Sequence, residues 1–515
     1  MTGETSDRPR FAWLIPGPID VAFLLILFSA TVVRGWQAIN TDGDLGRHLR
    51  VGETILERGS LFYEDLFSWT MAGQPFVPYE WLSEILFAIS YRVAGFPGVI
   101  ALTGFVVASS YLLLALLLTR HGIDPMLSFI VTIGAALSGA FHWLARPHVF
   151  TLAGVAALLW LLEGVPKDRD DVGEGAYTVQ PADDRPLLMI VIGATFLLFA
   201  VWANLHGGFL FGLVTICLYA FGDVIATRTL RSSYILLLAA ALAGTLINPV
   251  GPALLGHVAG YLGETFLVDM TLEYRSPDFH GWIGRTFLAV FMCSVAMIGV
   301  SRRPLALSRL LVFLVTSAFA LHSARNIPLW GLTGLAVVTL HYGPEWCRLQ
   351  NVVLARARRA FASASAGATT GLWSLAAVCL LAVVTLSGGG VAGGQLLPAA
   401  LDPGVFPVDA VETARRQGVQ GRVFNELGWG GYLLHAWPEQ KVFIDGQTDF
   451  YGEQLSRRYV RIRAAEGSWQ EELRQEGVEL ILLPPDAPLI QAAEELGWHA
   501  LSRDPTAVLL ARSGN

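Results

Sequence analysis

The segment TDGDLGRHLRVGE, residues 41–53, gathers titratable side chains directly after the first strongly apolar run of the chain. Its two carboxylates, Asp42 and Asp44, are separated by one glycine, and His48 follows about one helical turn later. A carboxylate can act as a general base, and two carboxylates can bind a divalent cation such as Mg²⁺ or Mn²⁺. We therefore predict Asp42 and Asp44 as catalytic residues and as candidate metal ligands. The alternative is that Asp44 only caps a following helix.

Further polar side chains stand at the ends of later apolar runs, in the segments LARPHVF, WANLHGG, EYRSPDFHGW and HSARNIP. Arginine and imidazole nitrogens donate hydrogen bonds to phosphate oxygens. The candidates for binding substrate or phosphate are therefore His48, Arg146, His148, Asn204, His206 and Arg325. Two alternatives stay open: Arg146 could extend toward lipid headgroups, and His206, beside two glycines, could belong to a tight turn between helices.

The composition is that of a membrane protein. Of the 515 residues, 53% are hydrophobic and only 15% are charged, with a mean hydropathy of +0.51. Soluble domains carry about 25% charged residues, so a polytopic helical membrane protein is indicated. No basic surface suited to nucleic acid is evident. Four cysteines, three of them inside apolar runs, make a disulfide framework unexpected.

The apolar runs predict about eleven membrane-spanning helices, since about 20 residues cross the hydrocarbon core. The first run follows Arg8 and Arg10 and lacks a small-residue cleavage site, so we interpret it as a retained span. The predicted spans are 17–37, 97–119, 125–145, 147–164, 186–203, 207–226, 232–248, 286–300, 307–323, 326–342 and 370–388.

The distribution of Lys and Arg predicts which loops face the cytoplasm. With the N-terminus inside, the cytoplasmic segments hold more Lys and Arg than the segments on the other side. This orientation requires EWLSEILFAISYRVAG (80–95) to lie along the membrane surface, and its Glu and Arg residues favour such an amphipathic helix. The first loop (38–96) then faces outward together with the span ends that carry Asp42, Arg146 and Arg325.

The chain after residue 388 has the polarity of a soluble domain. A glycine-rich stretch, SGGGVAGGQ (387–395), is typical of a linker. Beyond it, RVFNEL, KVFID, VELILL and TAVLLAR predict strands, and helices are expected near 429–437, 453–465 and 487–497. We predict a transmembrane domain over 1–388 and a small extracytoplasmic α/β domain over 389–515. Asp445 and Asp449, in FIDGQTDFYG, are interpreted as a strand followed by a turn, with substrate contact as the alternative.

This layout resembles the GT-C glycosyltransferases, polytopic enzymes that use polyprenyl-phosphate-linked sugars. The resemblance rests on TDGD directly after the first span, on two surface helices in that loop (about 45–58 and 79–94), and on a soluble domain after the last span. It is nearest to the branch of the protein O-mannosyltransferases and aminoarabinose transferases. The acidic pair differs from the adjacent Asp-Glu of the mannosyltransferases, and the tail has no Trp-Trp-Asp motif.

The resemblance implies a GT-C-like fold in a bacterial inner (plasma) membrane. It also implies sugar transfer from a polyprenyl-phosphate donor to a glycan, lipid or protein acceptor on the outer face, with membrane lipids as further partners and a divalent cation as a candidate cofactor. Two other classes of membrane protein are alternatives. A non-catalytic protein that binds a glycolipid or scaffolds an envelope complex would keep the same loops. A lipid or solute transporter fits less well, because its charges would lie at the bilayer midplane, often in repeated halves.

Overall fold

A computed structural model describes residues 15–164, 185–261, 272–346, 352–367 and 371–512. The protein is mainly helical up to residue 386, and a small mixed sheet lies in the C-terminal part. The predicted loop at 165–185 falls outside the described residues apart from Arg185.

Within the described residues, the N-terminal part contains sixteen α-helices. Ten of them precede residue 262: α1 (Pro18–Phe28), α2 (Gly35–Asn40), α3 (Asp44–Arg58), α4 (Trp81–Arg120), α5 (Pro125–Gly139), α6 (Val149–Leu162), α7 (Arg185–Leu205), α8 (Phe209–Thr227), α9 (Ser232–Thr245) and α10 (Ala253–Tyr261). Six follow: α11 (Trp282–Val300), α12 (Leu307–His322), α13 (Ile327–Leu332), α14 (Gly334–Trp346), α15 (Val352–Gly367) and α16 (Leu372–Leu386). A short π-helical segment, Ser29–Val33, continues α1 toward α2.

Each predicted span contains helix, but the span 326–342 is divided into α13 and α14, and the span 17–37 covers α1, the π-helical segment and the start of α2. Within the described residues, five helices are long and apolar enough to cross a membrane, and five shorter apolar helices accompany them. The number eleven and the orientation stay predictions. Hydropathy locates the helices well because a lipid-facing helix must be apolar along its whole length. The basic helix α15 was not predicted, since its segment was interpreted as a loop.

The first loop contains both predicted helices. The first is α3, and the second is the initial arm of α4, which is interrupted at Ala94 (φ −147°) and Gly95 (φ 62°, ψ −151°). Glycine adopts this positive φ at little cost, so the arm can leave the axis of the following long segment. A Cβ on Gly52 of α3 would overlap the carbonyl oxygen of Glu84, so the two loop helices pack in backbone contact.

The C-terminal part is a four-stranded sheet with helices around it. Its strand order is β3 (Arg422–Asn425), β4 (Val478–Leu483), β6 (Val508–Ala511), β5 (His499–Arg503); β3 and β4 are parallel and the other pairs antiparallel. The surrounding helices are α17 (Val408–Gln417), α18 (Gly430–Ala436), α19 (Thr448–Arg463), α20 (Trp469–Gln475) and α21 (Pro488–Glu495). The predicted strands at β3, β4 and β6 and the helices α18, α19 and α21 are confirmed.

The predicted strand KVFID is wrong. Val442 forms only an isolated bridge, and its partner is Ser68 of the first loop rather than a strand of the sheet. The amide of Phe443 donates to the side chain of Asn425 (2.8 Å). The segment therefore joins the first loop to the sheet without belonging to a ladder, and β5, α17 and α20 were missed.

The glycine-rich stretch is not a free linker. It forms a small hairpin, β1 (Gly390–Val391) with β2 (Gly394–Gln395), and the Gln395 side chain donates to the carbonyls of Gly388 and Leu397. One hydrophobic cluster contains Val51, Phe62 and Phe76 of the first loop together with Val423 and Leu433 of the C-terminal part. The C-terminal part therefore packs onto the first loop, and a domain boundary at 388/389 stays a prediction.

Candidate active site

One guanidinium joins three carboxylates at the predicted polar end of the bundle. Arg146 Nε lies 2.7 Å from Asp42 Oδ2, and its Nη1 lies 3.2 Å from Glu273 Oε1. Its Nη2 forms a short ion pair with Asp44 Oδ2. The predicted residues Asp42, Asp44 and Arg146 are thus brought together.

Local hydrogen bonds hold this group in place. Asp42 Oδ1 accepts the amide of Asp44 (3.1 Å), the first residue of α3, and the N-cap of this helix is Gly43. The amide of Ala145 donates to the carbonyl of Ala38 (2.8 Å), which fixes the Arg146 loop beside the end of α2. The capping alternative for Asp44 is therefore wrong, because that role belongs to its neighbour.

Asp42 is the carboxylate with the most perturbed protonation. Burial raises its pKa to about 7; Arg146 opposes this rise, and the like charges of Asp44 and Glu273 add to it. The Nε of Arg146 is close to Asp42 Oδ2, yet this buried oxygen receives no well-directed hydrogen bond. Burial disfavours the charge of Arg146, but the three carboxylates raise its pKa and keep it cationic. Asp42 can thus exchange a proton near neutral pH beside a permanent cation.

Glu273 was not singled out from the sequence. It lies in the short 3₁₀ turn Leu272–Tyr274. The hydroxyl of Ser323 donates to its carbonyl (3.1 Å), and the amide of Ala324 donates to the carbonyl of Arg275 (2.9 Å). These bonds dock the turn on the end of α12. The sequence indicated only that the loop EYRSPDFHGW is polar, because the spacing of its residues does not distinguish Glu273 from the others.

Three histidines cluster near Arg146. The ring of His148 packs on that of His142 (centroids 4.0 Å apart), and its Nε2 lies 2.8 Å from the carbonyl oxygen of His142. His206 is the third, with its ring 6.5 Å from His148. Burial holds the pKa of His206 well below its ordinary value, so its ring is a neutral hydrogen-bonding group.

The hydrogen bonds of His206 assign its tautomer. Its Nδ1 accepts the amide of Gly208 (3.0 Å), and the hydroxyl of Thr151 lies 2.8 Å away. That hydroxyl accepts the indole N–H of Trp202 (3.0 Å), so its own proton is free to point at the ring. The neutral ring then carries its proton on Nε2, which faces Glu80 Oε1 at 3.8 Å. The tight turn proposed for His206 exists, and the side chain also faces the site.

The remaining predicted ligands have different surroundings. The guanidinium of Arg325 lies over the ring of Tyr274, 4.4 Å from its centroid, beside the turn that carries Glu273. His48 is buried, with its Nδ1 3.4 Å from Glu84 Oε1. Asn204 accepts the indole N–H of Trp81 (2.7 Å) and donates to two backbone carbonyls, so its side chain links three helices and leaves little capacity for substrate.

The C-terminal part contributes directly to this site. Asp445, 1% exposed, accepts from Arg47 Nε (3.2 Å) and from the hydroxyl of Tyr451 (3.0 Å). The next residue, Gly446, touches the carboxylate of Asp44, and a Cβ at this position would overlap Asp44 Oδ1. Asp445 is therefore held in an ion pair between the two parts of the chain, and Gly446 packs directly against the carboxylate of Asp44.

The candidate metal ligands fall into two groups. Asp42 and Asp44 are both paired with Arg146, so their negative charge is already shared with a cation. His48, Glu80 and Glu84 offer one nitrogen and two oxygens that all lie within 4.8 Å of one another. Burial raises the pKa of Glu80 well above its ordinary value, and the nearby charge of Glu84 adds to this rise. The geometry thus favours the second group for a cation.

A cavity of about 490 Å³ opens elsewhere, between the first loop and the C-terminal sheet. Its walls include Trp69, Arg422 and Trp437, and none of its lining residues belongs to the cluster around Arg146. It is a separate surface feature.

Comparison with known proteins gives a fold but no sequence relative. No protein-family profile and no curated protein matches the chain. Among solved structures, the ArnT protein of Cupriavidus metallidurans bound to undecaprenyl phosphate is 13% identical, with a TM-score of 0.55 over 98% of this chain and 99% of that one. The oligosaccharyltransferase AglB of Archaeoglobus fulgidus, in complex with an inhibitory peptide and a dolichol-phosphate, is 12% identical, with a TM-score of 0.56 over 90% of this chain and 69% of that one.

Both of these proteins belong to the GT-C superfamily, and both are polytopic membrane proteins. The correspondence with ArnT runs nearly end to end, so it includes the helical part and the C-terminal part. With these identities the likeness concerns the fold. The chain therefore shares its fold with these two solved structures.

Proposed function

We propose that this protein is an integral-membrane glycosyltransferase that moves a sugar from a polyprenyl-phosphate-linked donor to an acceptor. The observation that carries the proposal is the group of Asp42, Asp44 and Glu273 around Arg146, with Arg325 and the histidines nearby. A buried carboxylate with a pKa near neutrality, beside fixed cations, matches the needs of sugar transfer from a lipid phosphate. The solved structures of similar fold that carry a lipid phosphate support it.

In the proposed reaction an acceptor hydroxyl attacks the anomeric carbon of the sugar. The new bond forms between the acceptor oxygen and that carbon, while the bond from the carbon to the phosphate oxygen breaks. The hydroxyl proton passes to the Asp42–Asp44 pair, with Asp42 as the residue that binds it, since its pKa lies at about 7. The polyprenyl phosphate leaves with the electron pair of the broken bond.

The leaving phosphate gains negative charge, and the site offers donors for it. Arg146 and Arg325 would supply cationic hydrogen bonds, and neutral His206 would donate from Nε2. His148, whose Nε2–H donates to the carbonyl of His142, would accept a substrate hydroxyl through Nδ1. Asn204 would act on substrate only through its neighbours, because its side-chain amide is already bonded within the protein. His48 would act beside Glu84, which lies 3.4 Å from its Nδ1. A divalent cation, when bound near this end, would add positive charge for the phosphate.

We further propose that the site opens on the outer face of the inner membrane and that the chain divides near residue 388. The excess of Lys and Arg in the opposite loops supports the orientation. Because Gly446 touches Asp44, the C-terminal part and the site lie on the same side in either orientation. A reporter fused after residue 512 would show on which side of the membrane the C-terminal part lies. A reporter found in the cytoplasm would exclude sugar transfer on the outer face.

The transfer itself is tested with protein reconstituted in lipid and a panel of polyprenyl-phosphate sugars, with released lipid phosphate as the readout. The wild type should release lipid phosphate in the presence of an acceptor, and Asp42→Asn should be slower by about 10²–10⁴-fold, the usual contribution of a general base. Glu57→Gln is the matched control, since Glu57 lies on α3 with a side chain that is 57% exposed. Equal rates for the wild type and Asp42→Asn would remove Asp42 from the base role, and no release with any donor would overturn the proposal.

A further inference from the structure

Two helices of the first loop bring three metal-binding side chains together. His48 lies on α3, Glu80 immediately precedes the initial arm of α4, and Glu84 follows one turn later. Residues four apart share one face of a helix, so both carboxylates face α3. One ligand atom from each of the three residues lies within 4.8 Å of the others. The backbone contact at Gly52 holds the helices at this separation.

Buried negative charge exceeds positive charge here. Arg146 is occupied by Asp42, Asp44 and Glu273, and Arg47 lies closer to Asp445 (3.2 Å) than to Glu84 (3.9 Å). For Glu80 the nearest ion-pair partner in the described residues is neutral His206 at 3.8 Å. Removing two carboxylates from water without matching cations costs several kcal/mol, so a cation bound between Glu80 and Glu84 would relieve this cost.

A neighbouring histidine completes the expected surroundings of a metal. Because Nδ1 of His206 is engaged by Gly208 and Thr151, its Nε2–H faces Glu80. Metal-ligating carboxylates are commonly oriented by such outer donors. Arg47 can orient Glu84 in the same way from the other side. At 3.8 and 3.9 Å neither donor forms a hydrogen bond with its carboxylate, so both lie in the outer surroundings and leave carboxylate oxygens for a cation.

We propose that His48, Glu80 and Glu84 form a binding site for a divalent cation, separate from the Asp42–Asp44–Arg146 group. One imidazole and two carboxylates suit Mn²⁺ or Zn²⁺ better than a purely oxygen-bound ion such as Ca²⁺. A role of this ion in sugar transfer rests on the proposed function. Its binding is nevertheless a property of these three side chains and is measured without any transfer assay.

The test uses purified full-length protein in detergent, stripped with a chelator and then titrated with Mn²⁺. Bound Mn²⁺ is followed by electron paramagnetic resonance, and Zn²⁺ is measured by competition. The wild type should bind one ion per chain at this site. Glu80→Gln and Glu84→Gln should weaken binding by at least tenfold, whereas Asp42→Asn and Asp44→Asn should keep the wild-type affinity.

Folding is monitored separately, since His48 and Glu84 are buried. Glu80→Gln is the safer variant because its side chain is 14% exposed and the change preserves its shape. The thermal midpoint of the wild type should rise with Mn²⁺, and that of Glu80→Gln should not. Absence of Mn²⁺ and Zn²⁺ binding in the wild type would overturn the site, as would loss of binding in Asp42→Asn with retention in Glu84→Gln. Failure of transfer with intact binding would reject only the proposed function.

Discussion

The two ends of the helical bundle handle buried charge in different ways. Three helices show which residues share an end. At one end lie Asp124 before α5, Glu163 after α6 and Arg309 in the first turn of α12. At the opposite end the same helices lead to His142, His148 and Arg325. At the first end the described acids Glu163, Asp20 and Asp124 each have their own partners. Glu163 binds Arg309 through two bonds (2.6 and 3.2 Å) and accepts from the hydroxyl of Tyr219 (2.7 Å).

Other acids at that end are equally well matched. Asp20 accepts the amides of Gly371 and Ser374 and the hydroxyl of Ser374, so it caps α16. Asp124 caps α5 through two amides and pairs with Arg358 (3.1 Å). The excess of Lys and Arg predicted only which side these segments face, and it gave no signal for the buried pairs.

The end that carries Asp42 is not balanced in this way. There one guanidinium serves three carboxylates, and Glu80 faces a neutral histidine. A matched pair resists change because removal of either partner leaves an uncompensated buried charge. A site with excess carboxylates can instead take up a proton or a cation. The comparison therefore separates structural charge from charge available for chemistry.

The sharpest test of the matched end is Glu163→Gln, which leaves Arg309 without its carboxylate. We expect the free energy of unfolding to fall by about 3 kcal/mol or more, with the transfer rate per folded molecule unchanged. Denaturant unfolding in detergent micelles measures the first quantity and lipid phosphate release the second. Glu57→Gln, on an exposed side chain, should stay within about 0.5 kcal/mol of the wild type. An equally stable Glu163→Gln would contradict the structural role.

At the unbalanced end Gly446→Ala tests whether the C-terminal part positions Asp44. The added methyl group must displace the Asp44 carboxylate, and a displacement of about 1 Å can slow a reaction by about 10²-fold. Turnover should fall while donor binding stays near the wild-type value. Gly428→Ala is the matched control, since a Cβ there meets nothing within 4 Å. Wild-type turnover in Gly446→Ala would show that the C-terminal turn does not position Asp44.

Replacement of Arg325 tests phosphate binding. Arg325→Gln removes a cation that lies over Tyr274, and we expect KM for the lipid donor to rise about tenfold, the value of one charge-assisted hydrogen bond. Arg275→Gln serves as the control because its side chain is exposed. Steady-state kinetics with donor varied at saturating acceptor gives the answer. A change in kcat alone would place Arg325 outside donor binding.

The smallest expected effect is the pH dependence. Because burial raises the pKa of Asp42 to about 7, the deprotonated base is lost as pH falls, and kcat/KM should drop about fivefold between pH 7 and pH 6. The like charge of Asp44 contributes to the raised pKa, so Asp44→Asn should move the inflection to lower pH in any activity that remains. A flat profile from pH 6 to pH 8 would argue against a carboxylate base.

Much of the helical architecture was predictable because a helix that faces lipid must be apolar along its length. The meeting of Asp42, Asp44 and Arg146 was also anticipated, since all three follow or precede spans on the same predicted side. Glu80 and Glu84 lay in the segment interpreted as a surface helix, and no spacing rule marks a carboxylate that faces inward. Gly446 gave no signal at all, because its role depends on a contact some 400 residues away in sequence.

The amino-acid sequence by itself determined where the apolar helices run, which of their ends carry polar residues and that a mixed α/β unit follows the last apolar run. Tertiary structure decided which acids share a cation and which stand in excess. Arg47 and Asp445 illustrate the reason, since they are 398 residues apart and nevertheless form a buried ion pair. Local sequence patterns indicate which residues face lipid or water and where helices form. The balance of buried charge depends instead on partners that only the folded chain brings together.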